Sequence, residues 1–159
     1  MDEFMLFTDG SVNTQSKVGY GAYLIVSEHE LSLDSLKNRV KVRRFDQTSS
    51  TKLELQALLW ALTDIKTTGS KVIVYTDSQN IMGLNGRRDR LEQNDYYSKK
   101  NKRLKNHELY KEFYRIMDQL DCEFIKVKGH KSSNQKDDID RFFTLVDRAS
   151  RKALRKDDE

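Results

Sequence analysis

At 159 residues, 36% hydrophobic and 34% charged, the chain is long enough to bury one sizeable core, and its surface must be heavily charged. It has no apolar run of bilayer length and a single cysteine, Cys122, so neither a helical membrane span nor an intramolecular disulfide is available to it. Net charge is only +4, yet residues 87–105 hold eight Lys or Arg against three Asp or Glu, which concentrates the basicity in one segment.

The acidic start, Met1-Asp2-Glu3-Phe4, stands where a secretory signal would be basic, and a cytoplasmic protein of one domain is expected, residues 1–159. Residues 4–8 are apolar on both faces and predict a central strand, broken by Gly10 just after Asp9. Residues 19–26 and the alternating run 39–43 predict two more strands, joined through a polar segment at 27–38. Leu55, Leu58, Leu59, Leu62 and Ile65 recur at helical spacing and predict a helix over 52–66, in which Trp60 is a packing residue. Gly69 closes that connection, 71–76 reads as a buried strand, and Ser78 opens a short helix through Met82. The basic stretch 83–105 is irregular with room for a short helix, and Asn106 is placed to cap a helix over 107–120. Residues 122–128 read as the last strand, with Cys122 as a small buried hydrophobe, and 131–138 as a polar loop. Phe142, Leu145, Val146, Ala149 and Ala153 trace a C-terminal amphipathic helix. Strands first, then helices alternating with two further strands, imply an α/β layer built on a mixed sheet.

Four carboxylates lie on or beside these apolar elements: Asp9, Glu54, Asp77 and Asp147. Asp9 and Asp77 each follow a Thr at the end of an apolar strand, so neighbouring strands would set the two anions side by side, where a proton or a cation must intervene. Glu54 falls on the helix face turned toward the sheet. Taken singly, Thr-Asp-Gly is a common turn, Glu54 suits a helix start and Thr-Asp-Ser suits a cap. Their occurrence together, in order, with a Gly-His after the last strand, favours a divalent metal site.

Thr8-Asp9-Gly10-Ser11, Gly19-Tyr20-Gly21-Ala22, Leu53-Glu54-Leu55, Tyr75-Thr76-Asp77-Ser78, Val127-Lys128-Gly129-His130 and Val146-Asp147-Arg148-Ala149-Ser150-Arg151 resemble the motifs of the type 1 ribonuclease H family over nearly the whole chain. The resemblance implies a ribonuclease H-like fold, a five-stranded mixed sheet with helices on both faces. It also implies a metal-dependent endoribonuclease that cuts the RNA strand of RNA:DNA hybrids, leaving 5′-phosphate and 3′-hydroxyl ends. Two Mg²⁺ ions, with Mn²⁺ as a substitute, would be held by hard oxygen ligands about 3.5–4 Å apart. By motif, Asp9 would bridge the ions, Glu54 and Asp77 would ligate one, and Asp147 would complete the other. His130 would carry protons or aid product departure. Asp140 lies nearer the usual distance after Gly-His than Asp147 does; Asp147 is preferred because Asp-Arg-Ala-Ser-Arg has the family's small-residue helix pattern, whereas Arg141-Phe142-Phe143 follows Asp140.

For the hybrid, the resemblance points to Ser49, Ser50 and Thr51 at ribose and phosphate, a segment where many members carry Asn, and to Asn106 at a phosphate. The segment 87–105 matches the family's substrate-handling protrusion without its tryptophans; Tyr96 or Tyr97 would pack either on the DNA strand or within the loop itself, with Lys99, Lys100, Lys102 and Arg103 on phosphates. His29 and His107 read as surface residues. No membrane and no protein partner are implied, and a monomer is expected. A related nuclease with another substrate, and a binding module without turnover, are the alternatives; dependence of cutting on the 2′-hydroxyl separates the first, and binding without cleavage would mark the second.

Overall fold

In the computed structural model, which describes residues 3–27, 33–65, 70–128 and 137–157, the first strand is longer than its apolar run. β1 (Glu3–Asn13) pairs antiparallel with β2 (Val18–Ser27) from Phe4↔Ser27 to Asn13↔Val18. Its parallel pairing with β4 (Lys71–Thr76) stops at Phe7↔Tyr75. Gly10 therefore does not break the strand: it sits opposite Gly21, and the ladder runs on past it. β3 (Lys41–Phe45) joins β2 antiparallel and β5 (Asp121–Lys126) joins β4 parallel, giving a mixed sheet in the order β3-β2-β1-β4-β5.

Successive strand residues face opposite sides, and the two faces are covered by different helices. On one, Leu6, Val72 and Val74 meet Leu55, Leu58 and Leu62 of α2 (Ser50–Asp64) and Phe113 and Tyr114 of α5 (His107–Met117). On the other, Phe7, Leu24 and Tyr75 meet Leu36 of α1 (Leu33–Lys37) and Phe142, Phe143 and Val146 of α6 (Asp138–Asp157). Each such large side chain, buried, is worth about 1.5–3 kcal/mol. Trp60 packs edge-on against Tyr23 with ring centres 4.6 Å apart, as a packing residue would. Cys122 is half-buried against the α2 face, and burial pushes its thiol up to about 11.

Close approach of α2 to the sheet depends on glycine. A Cβ at Gly21 would stand 2.8 Å from the Cβ of Ala57, and one at Gly10 would stand 2.9 Å from Leu53 Cδ2. Only residues without side chains let the helix seat this deeply.

The basic stretch is more regular than its pattern suggests. After α3 (Gln79–Met82) comes α4 (Leu84–Gln93), a ten-residue helix that buries only Leu84 and Leu91. It lacks an apolar stripe because polar contacts hold it: Arg88 donates to both Asp118 carboxylate oxygens at 2.6 and 2.9 Å and lies over the Tyr114 ring, whose hydroxyl donates to Leu84 O at 2.6 Å. Beyond it, Ser98 N donates to Lys102 O and Leu104 N to Tyr96 O, folding the loop on itself. Tyr96, with a positive φ of 64°, turns inward and is only 6% exposed, so it is a core residue and not a surface for a DNA strand.

Helix ends shift from their predicted positions where polar side chains decide them. α6 starts at Asp138, ahead of its first large apolar residue, because Asp140 N donates to Asp137 Oδ1 at 2.9 Å and Asp137 N to Asp140 Oδ2 at 3.2 Å. α5 ends at Met117, earlier than expected. Asn106 occupies its N-cap position without a side-chain cap bond. The predicted connection at Gly69 and most of the 131–138 loop lie outside the described residues.

Candidate active site

Phe7 and Tyr75, the last parallel rung between β1 and β4, stack with ring centres 4.8 Å apart and planes 9° from parallel. Two residues further on, the strand period returns to the same face and presents Asp9 and Asp77. The ladder between the strands has ended there, which opens space beside Asp9 even though β1 continues along β2.

α6 supplies the third carboxylate. Ser150, fully buried, shares a hydrogen bond of 3.2 Å with Ser11 of β1 and donates to Asp147 O at 3.1 Å, docking this turn of the helix on the strand. Asp147 then meets Asp9 in a hydrogen bond, and Arg151 braces Asp147 from the next turn at 3.0 Å.

Glu54 arrives from the opposite face of the sheet. It lies in the second turn of α2, whose start is capped by Ser49 accepting from Lys52 N at 3.3 Å. The Ser78 hydroxyl donates to Glu54 Oε2 at 2.6 Å and accepts from Ile81 N at 3.1 Å, so one side chain both caps α3 and aims Glu54 toward Asp77.

The electrostatics follow from this crowding. Burial, then the charges of Asp77 and Asp147, push Asp9 from 3.8 up to about 8, against the Gly10 N–H, which favours the anion. Asp77, open to solvent on its outer side, is also raised, by burial of its inner side and by Asp147, with Lys126 and Arg151 opposing. Glu54 is raised by burial and by Asp77, with the Ser78 hydrogen bond opposing. The carboxylates thus form a chain, Glu54 to Asp77 to Asp9 to Asp147. Among the described residues no three His, Cys, Asp or Glu side chains close around a single point. The donor set nevertheless fits hard divalent cations in kind: oxygen donors only, with ionisation disfavoured at Asp9, Asp77 and Glu54 by burial and by neighbouring carboxylates, which is the state a cation relieves.

The other described residues singled out by sequence are spread over α2, the loop after α4 and the starts of α5 and α6. Ser50 and Thr51 are exposed on the first turn of α2, one turn before Glu54, and Ser49 is exposed while its oxygen serves as the cap. Lys99, Lys100, Lys102 and Arg103 are exposed in the loop after α4; Arg103 pairs with Asp95 at 2.8 Å and lies 4.8 Å over the Tyr97 ring. Asp140 is buried at the start of α6, in the capping exchange with Asp137. His107 is half-buried at the start of α5, with Nε2 3.0 Å from Glu108. His29 and His130 lie outside the described residues. The sequence reading did not assign Arg151 or the Ser11–Ser150 pair; the spacing of Asp147, Ser150 and Arg151 along one helix was the available signal.

Comparison with known proteins agrees with this architecture. The family model RNase H matches residues 1–148. The Ribonuclease H of Syntrophomonas wolfei subsp. wolfei is 25% identical over 158 residues, covering 98% of both chains. Among solved structures, the PFV RNase H domain superposes with a TM-score of 0.75 at 19% identity, covering 95% of this chain and 93% of that one. The foamy viral protease-reverse transcriptase in complex with an RNA/DNA hybrid superposes with a TM-score of 0.66 at 12% identity, covering 95% of this chain and 19% of that one. With its motifs, its sheet and nearly its whole length so matched, the chain belongs to the RNase H family of ribonuclease H enzymes.

Proposed function

We propose that this enzyme hydrolyses the RNA strand of RNA:DNA hybrids internally, with two divalent cations, Mg²⁺ or Mn²⁺ in its place, leaving 5′-phosphate and 3′-hydroxyl ends. The observation that carries the proposal is Asp9, half-buried between Asp77 and Asp147 and pushed up to about 8 by burial and then by those two carboxylates. The fold relative solved with an RNA/DNA hybrid supports the substrate class.

Asp9, Glu54, Asp77 and Asp147 would hold the cations. When bound, such ions activate water as a nucleophile and stabilise charge on the leaving oxygen. The chain's own contribution is orientation. Ser78 holds Glu54, Arg151 holds Asp147, and the Phe7–Tyr75 stack fixes the strand ends that carry Asp9 and Asp77. His130, following the last strand, is assigned to proton transfer near the leaving group.

Selection of RNA over DNA requires a group that senses the 2′-hydroxyl. Ser50 and Thr51 are exposed at the N-terminus of α2, where the helix dipole favours a phosphate. Lys99, Lys100 and Lys102, with the Arg103–Tyr97 pair, form a second positive surface suited to the DNA strand.

The test is digestion of an end-labelled RNA:DNA hybrid beside matched RNA and DNA duplexes, with Mg²⁺ and then with chelator. Metal-dependent cutting of the hybrid's RNA strand alone is expected; cutting of DNA duplexes, or binding of the hybrid without any cutting, would overturn the proposal.

A further inference from the structure

Against α6 and α1, on the face opposite α2, lies a groove of about 650 Å³ that begins at Asp147. Its floor is apolar, from Val40, Leu145 and Ala149, and its rim carries Lys37, Arg148, Lys152 and Arg155. All four cations are exposed, and among the described residues none has a carboxylate in ion-pair range; Arg151, which also lines the groove, is already engaged by Asp147. Arg148, Lys152 and Arg155 are spaced four and three residues apart, which aligns them along one side of the helix.

Unpaired cations in a row cost stability through mutual repulsion and are relieved by a polyanion. The row spans about 10 Å at 1.5 Å per residue, the rise along the duplex axis over about three phosphates of one strand at 3.4 Å each. One end of the row is the turn of α6 that carries Asp147. A strand whose phosphate rests at the carboxylates and continues along α6 meets these three side chains in succession.

We propose that this groove is a second substrate track, which binds the backbone of the cut strand on one side of the scissile phosphate. The inference rests on the reading of the carboxylate chain as the cutting site. It makes Arg148, Lys152, Arg155 and Lys37 substrate-binding residues for hybrids long enough to extend beyond that site. Short hybrids that end at the carboxylates gain nothing from them.

The experiment compares wild type with a triple variant, Arg148→Gln, Lys152→Gln and Arg155→Gln, on a short and a long RNA:DNA hybrid. Affinity is measured with chelator across a salt series, and cleavage with Mg²⁺. The changes are on exposed positions, and an unchanged melting temperature confirms folding. For the long hybrid, the slope of log affinity against log salt is expected to fall by about 2–3 and KM to rise about tenfold to a hundredfold, with kcat unchanged. The short hybrid is expected to behave as it does with wild type. Restoring the charges as Lys at all three positions recovers the slope. Equal behaviour of variant and wild type on the long hybrid overturns the track. So does loss of binding to polyglutamate with hybrid binding intact, which would identify an acidic protein as the occupant. If wild type binds but does not cut the hybrid, the cutting-site reading fails, and the salt slopes still decide whether the groove carries nucleic acid.

Discussion

Replacing Asp9 by Asn should stabilise the metal-free protein while abolishing cleavage. Asp9 has its carboxyl raised from 3.8 in the free side chain to about 8, chiefly by burial and then by Asp77 and Asp147. A carboxyl raised in this way favours the folded state when protonated. Its contribution is full below the unfolded pKa of 3.8 and is lost as pH rises toward about 8. At about 1.36 kcal/mol per pKa unit, the loss across that window is at most about 6 kcal/mol. Part of it belongs jointly to Asp77 and Asp147, which leaves about 2–3 kcal/mol for removing the Asp9 charge alone. Asn fills nearly the same volume, cannot ionise, and offers its amide N–H to Asp147. At about 2–4 °C per kcal/mol for a chain of this size, the variant should melt about 5–10 °C higher than wild type at pH 8.

Thermal melts followed by circular dichroism, with chelator, at pH 5 and pH 8 make the measurement. The gap between variant and wild type should shrink at pH 5, where wild-type Asp9 is protonated too. Adding Mg²⁺ at pH 8 should raise the wild-type melting temperature more than that of the variant, because ligand binding to the folded state adds stability. A variant no more stable than wild type at pH 8 would refute the claim that Asp9 sits in a repulsive, desolvated cluster.

Asp147→Asn should lose turnover, whereas Asp140→Ala should keep it and instead cost about 1 kcal/mol in urea unfolding, as loss of a helix cap does; loss of turnover with Asp140→Ala would reverse the assignment of the fourth carboxylate. Ser78→Ala removes both the cap of α3 and the hydrogen bond to Glu54. It should lower stability by about 1–2 kcal/mol and raise the Mg²⁺ concentration needed for half-maximal cleavage, read from a metal titration. Gly21→Ala sets a methyl 2.8 Å from Ala57 Cβ and should destabilise by about 1–3 kcal/mol in the same unfolding assay; a neutral effect would mean that α2 can lift off the sheet freely.

The sequence is readable where a single physical requirement dominates. The apolar patterns at 4–8, 71–76 and 52–66 place β1, β4 and α2, although β1 runs on to Asn13 and α2 spans Ser50–Asp64. For α4 the sequence offers only room for a short helix, because its order comes from Arg88 on Asp118 and Tyr114, partners 30 and 26 positions away in the chain, and not from a stripe of its own. Tyr96 among Lys and Arg reads equally as a surface aromatic or as loop packing, and the positive φ at Asp95 and Tyr96 decides for the second by turning it inward. The Asp9 neighbourhood needed the register. A glycine after an apolar run usually marks a strand end, but Gly10 faces Gly21 under α2, so the backbone stays extended while the space above it goes to Leu53.

That same glycine packing explains how carboxylates from both faces of one sheet come to share a neighbourhood. Side chains at positions 10 and 21 would meet Leu53 and Ala57 and hold α2 further from the sheet. With Gly10 and Gly21 beneath it, α2 sits low enough for Glu54 to take a hydrogen bond from Ser78, immediately after Asp77. On the other face, Ser11 and Ser150 draw α6 down so that Asp147 reaches Asp9. Small residues on β1 therefore set the spacing of the acidic chain from both sides, and the repulsion they create at Asp9 is offset by the apolar clusters below it. Enlarging Ser11 should act at a distance on the site: Ser11→Val would break the contact to Ser150 and push α6 outward. The Asp9 carboxyl should then titrate closer to its free value, measurable by NMR of the carboxyl carbon. An unchanged Asp9 titration in that variant would show that Asp147 is held by Arg151 alone and that the serine pair plays no part in assembling the site.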